Sequence, residues 1–173
     1  MMKSFFDTVF HRASVRSFNS DPISDAEWDT LLKSAMAAPS AVNKQPWDFI
    51  VIDDRRTLDA LAAELPYAKM ATEAPAAVVV CAVPARANEG KLEYAVVDAS
   101  LACENLLLAA DALGLGAVWT ALYPQSVREN VARRVLGIPE DVVPLAFVPI
   151  GKPRGETKAK DKFLPGRIHR GRW

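Results

Sequence analysis

Four short stretches of this 173-residue chain carry residue types that could do chemistry. In His11-Arg12-Ala13-Ser14-Val15-Arg16-Ser17-Phe18, the residues Arg12, Ser14 and Arg16 alternate, so in extended backbone all three side chains project to one side. Two guanidiniums flanking a hydroxyl make a clamp for a phosphate or carboxylate. A solvated strand end with two surface arginines has the same pattern. Ala38-Pro39-Ser40-Ala41-Val42-Asn43-Lys44-Gln45-Pro46-Trp47 reads as a stiff loop that exposes backbone groups, with Asn43 and Gln45 able to pair with the hydrogen-bonding edge of a heterocycle. A turn that merely plugs Trp47 into the core fits it equally. Gly114-Leu115-Gly116 lets backbone approach closely, but it is not G-x-G-x-x-G and opens no helix, so it is no dinucleotide fingerprint. In Lys158-Ala159-Lys160-Asp161-Lys162-Phe163 the lysines again face one way, as they would in an ordinary solvated run.

Absent motifs narrow the chemistry. There is no P-loop, no H-E-x-x-H and no G-x-S-x-G elbow. Two histidines, His11 and His169, leave little room for a triad, and without a C-x-x-C pair no metal site is expected. Cys81 and Cys103 lie in apolar segments and should be inert core thiols. His11 sits inside the first motif, where contact with solvent or an anion is a better reading than proton transfer.

Composition sets the frame for these groups. Half the residues are hydrophobic and 24% are charged, which excludes a disordered chain. The length suits one domain over 1–173, with a basic C-terminal arm over 152–173. That arm holds 8 basic and 2 acidic residues, against 13 basic and 19 acidic in 1–151. A tail attracted to its own acidic body, an anion site built from the tail, and contact with nucleic acid all fit this asymmetry. No basic face interleaved with aromatics supports the last, so no nucleic-acid partner is expected. The beginning of the chain lacks an apolar core long enough for a secretory signal, and 95–122 is broken by Asp98, Glu104, Asn105 and Asp111. A cytoplasmic protein with no membrane partner is the expectation.

The elements that must position the motifs follow from periodicity. Ser4 caps a helix carrying Phe5, Phe6, Val9 and Phe10. Ser24-Asp25-Ala26-Glu27 is a capping box, followed by Trp28, Leu31, Leu32, Ala35 and Met36 on one face, with Pro39 closing the helix. Strands are expected over 48–53, 76–83, 117–123 and 142–150, the second apolar on both faces and hence central. Helices are expected over 57–65, 92–113 and from a Ser126-Val127-Arg128-Glu129 cap to Gly137. The 92–113 helix is apolar nearly all round and belongs in a core or a subunit interface. The tail has no core of its own yet ends in Ile168, His169 and Trp173, which favours docking on another surface.

Taken together, Arg-x-Ser-x-Arg, Pro-Ser-Ala-x-Asn-x-Gln-Pro-Trp, a Leu-Gly-Leu-Gly turn into a strand and a late Lys-x-Lys form one ordered pattern. It resembles the nitroreductase family of flavin enzymes over essentially the whole chain, as one of its shorter members. The resemblance implies an α+β fold: a three-layer α-β-α arrangement with a mainly antiparallel sheet and a C-terminal arm exchanged in a homodimer. It also implies FMN as cofactor, with NADH or NADPH as reductant. By resemblance Arg12 and Ser14 hold the phosphate and ribityl end, Arg16 lies near the N1/O2 edge of the ring, and Lys160 and Lys162 complete the phosphate site. Pro39, Ser40, Ala41 and Asn43 come from the partner subunit, and Thr120, Ala121 and Leu122 present backbone groups toward N5. Larger members often carry Glu-Gly at Ala121-Leu122.

The implied activity is ping-pong hydride transfer through flavin N5 to nitroaromatics, quinones or similar small-molecule acceptors. The cofactor carries the chemistry and no protein acid or base is assigned. The same scaffold supports enone reduction and dehalogenation, and the short 84–91 loop implies an open site. A non-catalytic anion or nucleic-acid binder is the alternative from another class.

Overall fold

The strand Ala76–Ala82 (β2) is buried along its whole length and forms the centre of the sheet, as its unbroken apolar run requires. The computed structural model describes residues 4–173. Met1, Met2 and Lys3, which belong to the beginning of the chain read above for a secretory signal, lie outside the described residues. On one side β2 pairs with Trp47–Ile52 (β1), from Trp47↔Ala82 to Ile52↔Ala77. On the other it pairs with Val143–Gly151 (β5), with a register shift between Val80 and Cys81. Two short pieces, Gly116–Ala117 (β3) and Thr120–Ala121 (β4), both pair with β5. The order is β1-β2-β5-β3 with β4 beside β5, and every one of these pairings is antiparallel.

Alternation along β2 builds two cores, and this is the physical origin of the three layers. Ala76, Val78, Val80 and Ala82 face Asp25–Met36 (α2) and Leu92–Ala112 (α4), meeting Leu31, Ala35, Ala102 and Leu106. Ala77, Val79 and Cys81 face Arg55–Glu64 (α3) and Ser126–Leu136 (α5), meeting Leu58, Leu61 and Ala132. The architecture is therefore α+β, with helices on both faces of an antiparallel sheet.

Helix ends follow local chemistry. Phe5–His11 (α1) begins at Ser4, whose hydroxyl accepts from Asp7 N–H. The capping box of α2 is complete, with Glu27 Oε2 accepting from Ser24 N–H at 2.8 Å and Ser24 Oγ accepting from Glu27 N–H. The Ser24 hydroxyl, which also donates to Glu27 Oε2 at 2.6 Å, and the Ser24 N–H together hold the Glu27 carboxyl below its usual range. Helix α5 ends on Gly137 at φ 69°, the left-handed cap that glycine tolerates best. Burial pushes the Cys81 thiol up to about 12 and raises that of Cys103 as well, so both are protonated and unreactive at neutral pH.

Three boundaries differ from the sequence expectations. The strand expected over 117–123 is two dipeptides in one register with β5: between them Val118 N–H still donates to Pro149 O at 3.3 Å, but Pro149 has no N–H to return a bond. Helix α3 starts at Arg55 rather than 57, since Asp54 caps it through bonds from the Arg56 and Thr57 N–H groups. Helix α5 has no capping box: Gln125 is its N-cap and Ser126 is already helical.

The segment after α1 is fixed by a close backbone approach. Val15 N–H donates to Ala117 O at 3.1 Å, and Ser14 bridges Ala117 in parallel. A Cβ at Gly116 would lie 2.6–2.8 Å from the Val15 side-chain carbons, including its Cβ. Gly116→Ala should therefore cost about 1–3 kcal/mol by overpacking and lower the melting temperature by about 2–4 °C for each kcal/mol. Gly166→Ala, where nothing lies within 4 Å, should leave it unchanged. Pairing Gly116→Ala with Val15→Ala should recover part of the loss; equal melting curves for wild type and Gly116→Ala would show that the contact is slack.

Candidate functional site: a cationic cleft and a strained loop

The turn out of α1 and the root of the C-terminal tail run side by side. Beyond the Val15–Ala117 bond, Asn19 N–H donates to Lys152 O at 2.9 Å, Arg154 N–H donates to Ser17 O at 3.0 Å, and Phe18 bridges Pro153. Arg12, Ser14 and Arg16 consequently share a cleft of about 280 Å³ with Lys158, Lys160 and Lys162. The alternation seen in each stretch is what turns all six side chains toward a common space. A second cleft of about 590 Å³ continues from it, sharing Arg12, Lys160 and Lys162 and adding Val9, Phe10 and Phe163. Cationic at one end and apolar at the other, the pair suits an amphiphilic anion.

The electrostatics are one-sided. Arg12 is 17% exposed and pairs with Glu104 of α4, Nε to Oε1 at 3.4 Å. Arg16 donates to Ser14 O at 3.4 Å. Among the described residues no ion pair engages Arg16, Lys158, Lys160 or Lys162. His11, beside this cleft, has its Nδ1 2.8 Å from Asp111 Oδ1.

The 39–45 loop is built differently. Val42, Asn43 and Gln45 lie at φ 52°, 56° and 50°, a left-handed backbone that L residues adopt at a cost of about 1–3 kcal/mol each. Ser40 Oγ accepts from Gln45 N–H at 2.9 Å, and Gln45 Nε2 donates to Asn43 Oδ1 at 3.3 Å. From α4, both carboxyl oxygens of Asp98 lie 3.2 Å from Ala41 N and accept from its N–H. Asn43 and Gln45 remain exposed while Trp47 is buried, so the loop plugs the core and displays its amides as well.

The structure brings Arg12, Ser14, Arg16, Lys160 and Lys162 together in one cleft. Pro39, Ser40, Ala41 and Asn43 line neither cleft, and the same holds for Thr120, Ala121 and Leu122. Leu122 N–H already donates to Leu145 O at 3.0 Å, and Ala121 O accepts from Arg128 Nη1 at 3.1 Å. Sequence reasoning passed over Lys158 as a lining residue, Glu104 as the partner of Arg12, Arg128 as a holder of Ala121, and Asp98. The signal for Asp98 was present: a carboxyl inside an otherwise apolar helix asks for a partner.

Large apolar side chains also lie outside the core. Phe5, Phe6 and Phe10 of α1, Val97 and Leu101 of α4, and Phe163, Ile168 and Trp173 of the tail are all exposed. Phe10 and Phe163 line one cleft together, and exposed apolar clusters of this kind mark interaction surfaces.

Comparison with known proteins gives the family of this fold. The model of the Nitroreductase family matches residues 9–69 and 57–152. A protein of Archaeoglobus fulgidus, provisionally named an NADH dehydrogenase/NAD(P)H nitroreductase, is 41% identical over 175 residues, covering 99% of this chain and 100% of its own. A crystal structure from Bacteroides thetaiotaomicron, with the same provisional name, superposes with a TM-score of 0.93 at 39% identity and covers 100% of both chains. A provisionally named nitroreductase of Desulfovibrio desulfuricans, solved in complex with FMN, has a TM-score of 0.82 at 25% identity and covers 97% of this chain and 96% of its own. With its three-layer antiparallel fold and a match along most of its length, the chain belongs to the nitroreductase family.

Proposed function

We propose that the chain is an FMN-dependent NAD(P)H oxidoreductase that works as a homodimer on nitroaromatics, quinones or similar small acceptors. The observation that carries this reading is the cleft in which Arg12, Ser14, Arg16, Lys158, Lys160 and Lys162 converge. A phosphate monoester of charge near −2 fits that donor set, since it accepts charge-assisted hydrogen bonds on three oxygens. The FMN complex of the Desulfovibrio relative and the NAD(P)H in the name of the Archaeoglobus relative support the cofactor and the reductant.

In this reading Arg12 and Ser14 bind the phosphate and ribityl end, and Lys160 and Lys162 close over it from the tail. Arg16 sits nearest the ring, where a cation favours the reduced, more negative flavin. When bound there, FMN would supply the hydride-transfer chemistry between a nicotinamide and the acceptor. The protein's part is to hold the ring between rigid elements and leave one face open. Thr120, Ala121 and Leu122 edge that face; because the Leu122 and Tyr123 N–H groups both donate to Leu145 O, backbone donation toward the ring falls to the residues before them.

A second copy completes the site. In one chain Pro39, Ser40, Ala41 and Asn43 lie outside the cationic cleft, so they serve a flavin held by the partner. The exposed aromatic residues of α1, the exposed face of α4 and the tail ending in Trp173 form the contact, with the arm crossing between copies. The buried, unpaired thiols suit the reducing cytoplasm.

Three outcomes follow. Purified protein supplied with FMN should show a bound-flavin spectrum that bleaches under NADH or NADPH without oxygen; protein that takes up no FMN rules the reading out. Arg12→Ala should weaken FMN binding by about 10- to 100-fold, the loss of one charge-assisted contact, and unchanged flavin affinity would move the phosphate elsewhere. In sedimentation the chain should have twice its monomer mass, with Val97→Lys plus Leu101→Lys releasing monomers that no longer retain flavin; a monomeric wild type that binds FMN would remove the partner from the site.

A further inference from the structure

Asp98 is the one buried carboxyl whose contact reaches the strained loop. It lies in the second turn of α4 with 3% of its surface exposed, among Ala95, Ala99 and Ala102. Its two oxygens share a single hydrogen-bond donor, Ala41 N–H, at 3.2 Å each. Apart from the bond at the loop's own exit, Trp47 N–H to Gln45 O, this is the hydrogen bond that ties residues 39–45 to the rest of the chain among the described residues.

Folding alone gives little reason for such a group. Burying a carboxyl against one backbone donor is unfavourable, and a single hydrogen bond returns little net stability in exchange. The loop supplies the missing reason. Val42, Asn43 and Gln45 occupy left-handed backbone consecutively or nearly so, and Val42 does so with a β-branched side chain that is 76% exposed. A conformation of this kind persists only where the surroundings over-determine it. The internal bonds of the loop shape its turn, but they leave its position on α4 open. Ala41–Asp98 sets that position, directly ahead of the three strained residues.

We propose that Asp98 is a positioning residue for the flavin site. By accepting from Ala41 N–H on both oxygens, it holds residues 39–45 in the one arrangement that presents the Asn43 amide and the backbone of Pro39, Ser40 and Ala41 to a flavin bound by the second copy. The inference rests on the functional reading above and assigns Asp98 a role that contact with the cofactor does not require. Its carboxyl acts through the loop, and what it contributes is an acceptor at a fixed place.

Full-length Asp98→Leu, Asp98→Asn and Asn43→Ala, with the Asp98→Leu/Asn43→Ala double variant, test this by FMN titration and thermal melting. Leucine matches the shape without an acceptor, so Asp98→Leu should melt at or above the wild-type temperature while its FMN dissociation constant rises about tenfold or more, the scale on which a misplaced binding group acts. Asp98→Asn keeps an acceptor and should stay within about threefold of wild type. In the Asn43→Ala background, Asp98→Leu should add little, because both act through one loop. Asp98→Leu that binds FMN like wild type, equal losses in Asp98→Leu and Asp98→Asn, or fully additive losses in the double variant would each overturn the proposal. An Asp98→Leu that fails to fold overturns it too, by showing that the carboxyl serves the core. Wild type that takes up no FMN removes the functional reading itself, an outcome separate from all of these.

Discussion

The hydrogen bond from Val15 N–H to Ala117 O is the join on which the cationic cleft depends. It seats the turn after α1 against β3, whose two residues pair with Ile150 and Gly151 at the end of β5. From there the chain runs straight into the tail that carries Lys158, Lys160 and Lys162. Segments from opposite ends of the sequence are thus laid on adjacent tracks, and the Phe18–Pro153 bridge repeats the link one step on. The tracks lie close because Gly116 has no Cβ to push Val15 away. Like charges oppose this arrangement by about 1 kcal/mol for a pair at 4 Å in water-like surroundings. The apolar packing of Val15 and Phe18, which alternate with these cations along the chain, against Ala74 and Met70 holds the segment in place.

That arrangement explains which features were legible in the sequence. Alternation is a local signal, so Arg12, Ser14 and Arg16 could be assigned to one face, as could Lys160 and Lys162, before anything was known of their meeting. The unbroken apolar run of β2 announced a strand covered on both sides, and Ser24 with Glu27 announced the start of α2. Their convergence was not readable from composition or spacing, because it depends on β5 lying between β2 and β3. The resemblance to a known family carried that step. The misses have local causes as well. Ser126 and Glu129 have the spacing of a capping box, but Gln125 already occupies the N-cap position. Residues 117–123 have the apolar character of a strand, yet only pairing decides where a strand breaks, and Leu145 O accepts from both Leu122 and Tyr123 N–H where the segment turns away. Asp98 looked like nothing more than a charge unsuited to a membrane, since its partner lies fifty-seven residues earlier.

The two halves of the proposed site have opposite mechanical characters. The cationic half stands on the sheet, with backbone bonds on both sides of Val15 and at the root of the tail. It fixes charge in space and tolerates mobile lysine side chains, because a phosphate is recognised by charge and by many equivalent geometries. The amide half is a loop held by its own side chains and one buried carboxyl, in backbone that three non-glycine residues adopt against preference. Recognition of a heterocycle edge demands that precision, since an amide displaced by about 1 Å no longer meets its partner.

Both halves break local rules in ways that a folded chain alone has no use for: a cluster of cations of which only Arg12 has a counterion among the described residues, and left-handed backbone at Val42 and Asn43. Departures of this kind gather where structure has been shaped by a ligand. They also call for each other. The cleft offers charge but few groups for a ring, while the loop offers ring-edge groups but no charge for a phosphate, and one chain keeps the two apart. An amphiphilic anion satisfies both only where the cleft of one copy faces the loop of another. The exposed faces of α1, α4 and the tail provide the apolar area for that meeting. Dimerisation in this reading is therefore a requirement of ligand chemistry as much as of buried surface: it places the charge-recognising and shape-recognising halves on opposite sides of one bound molecule.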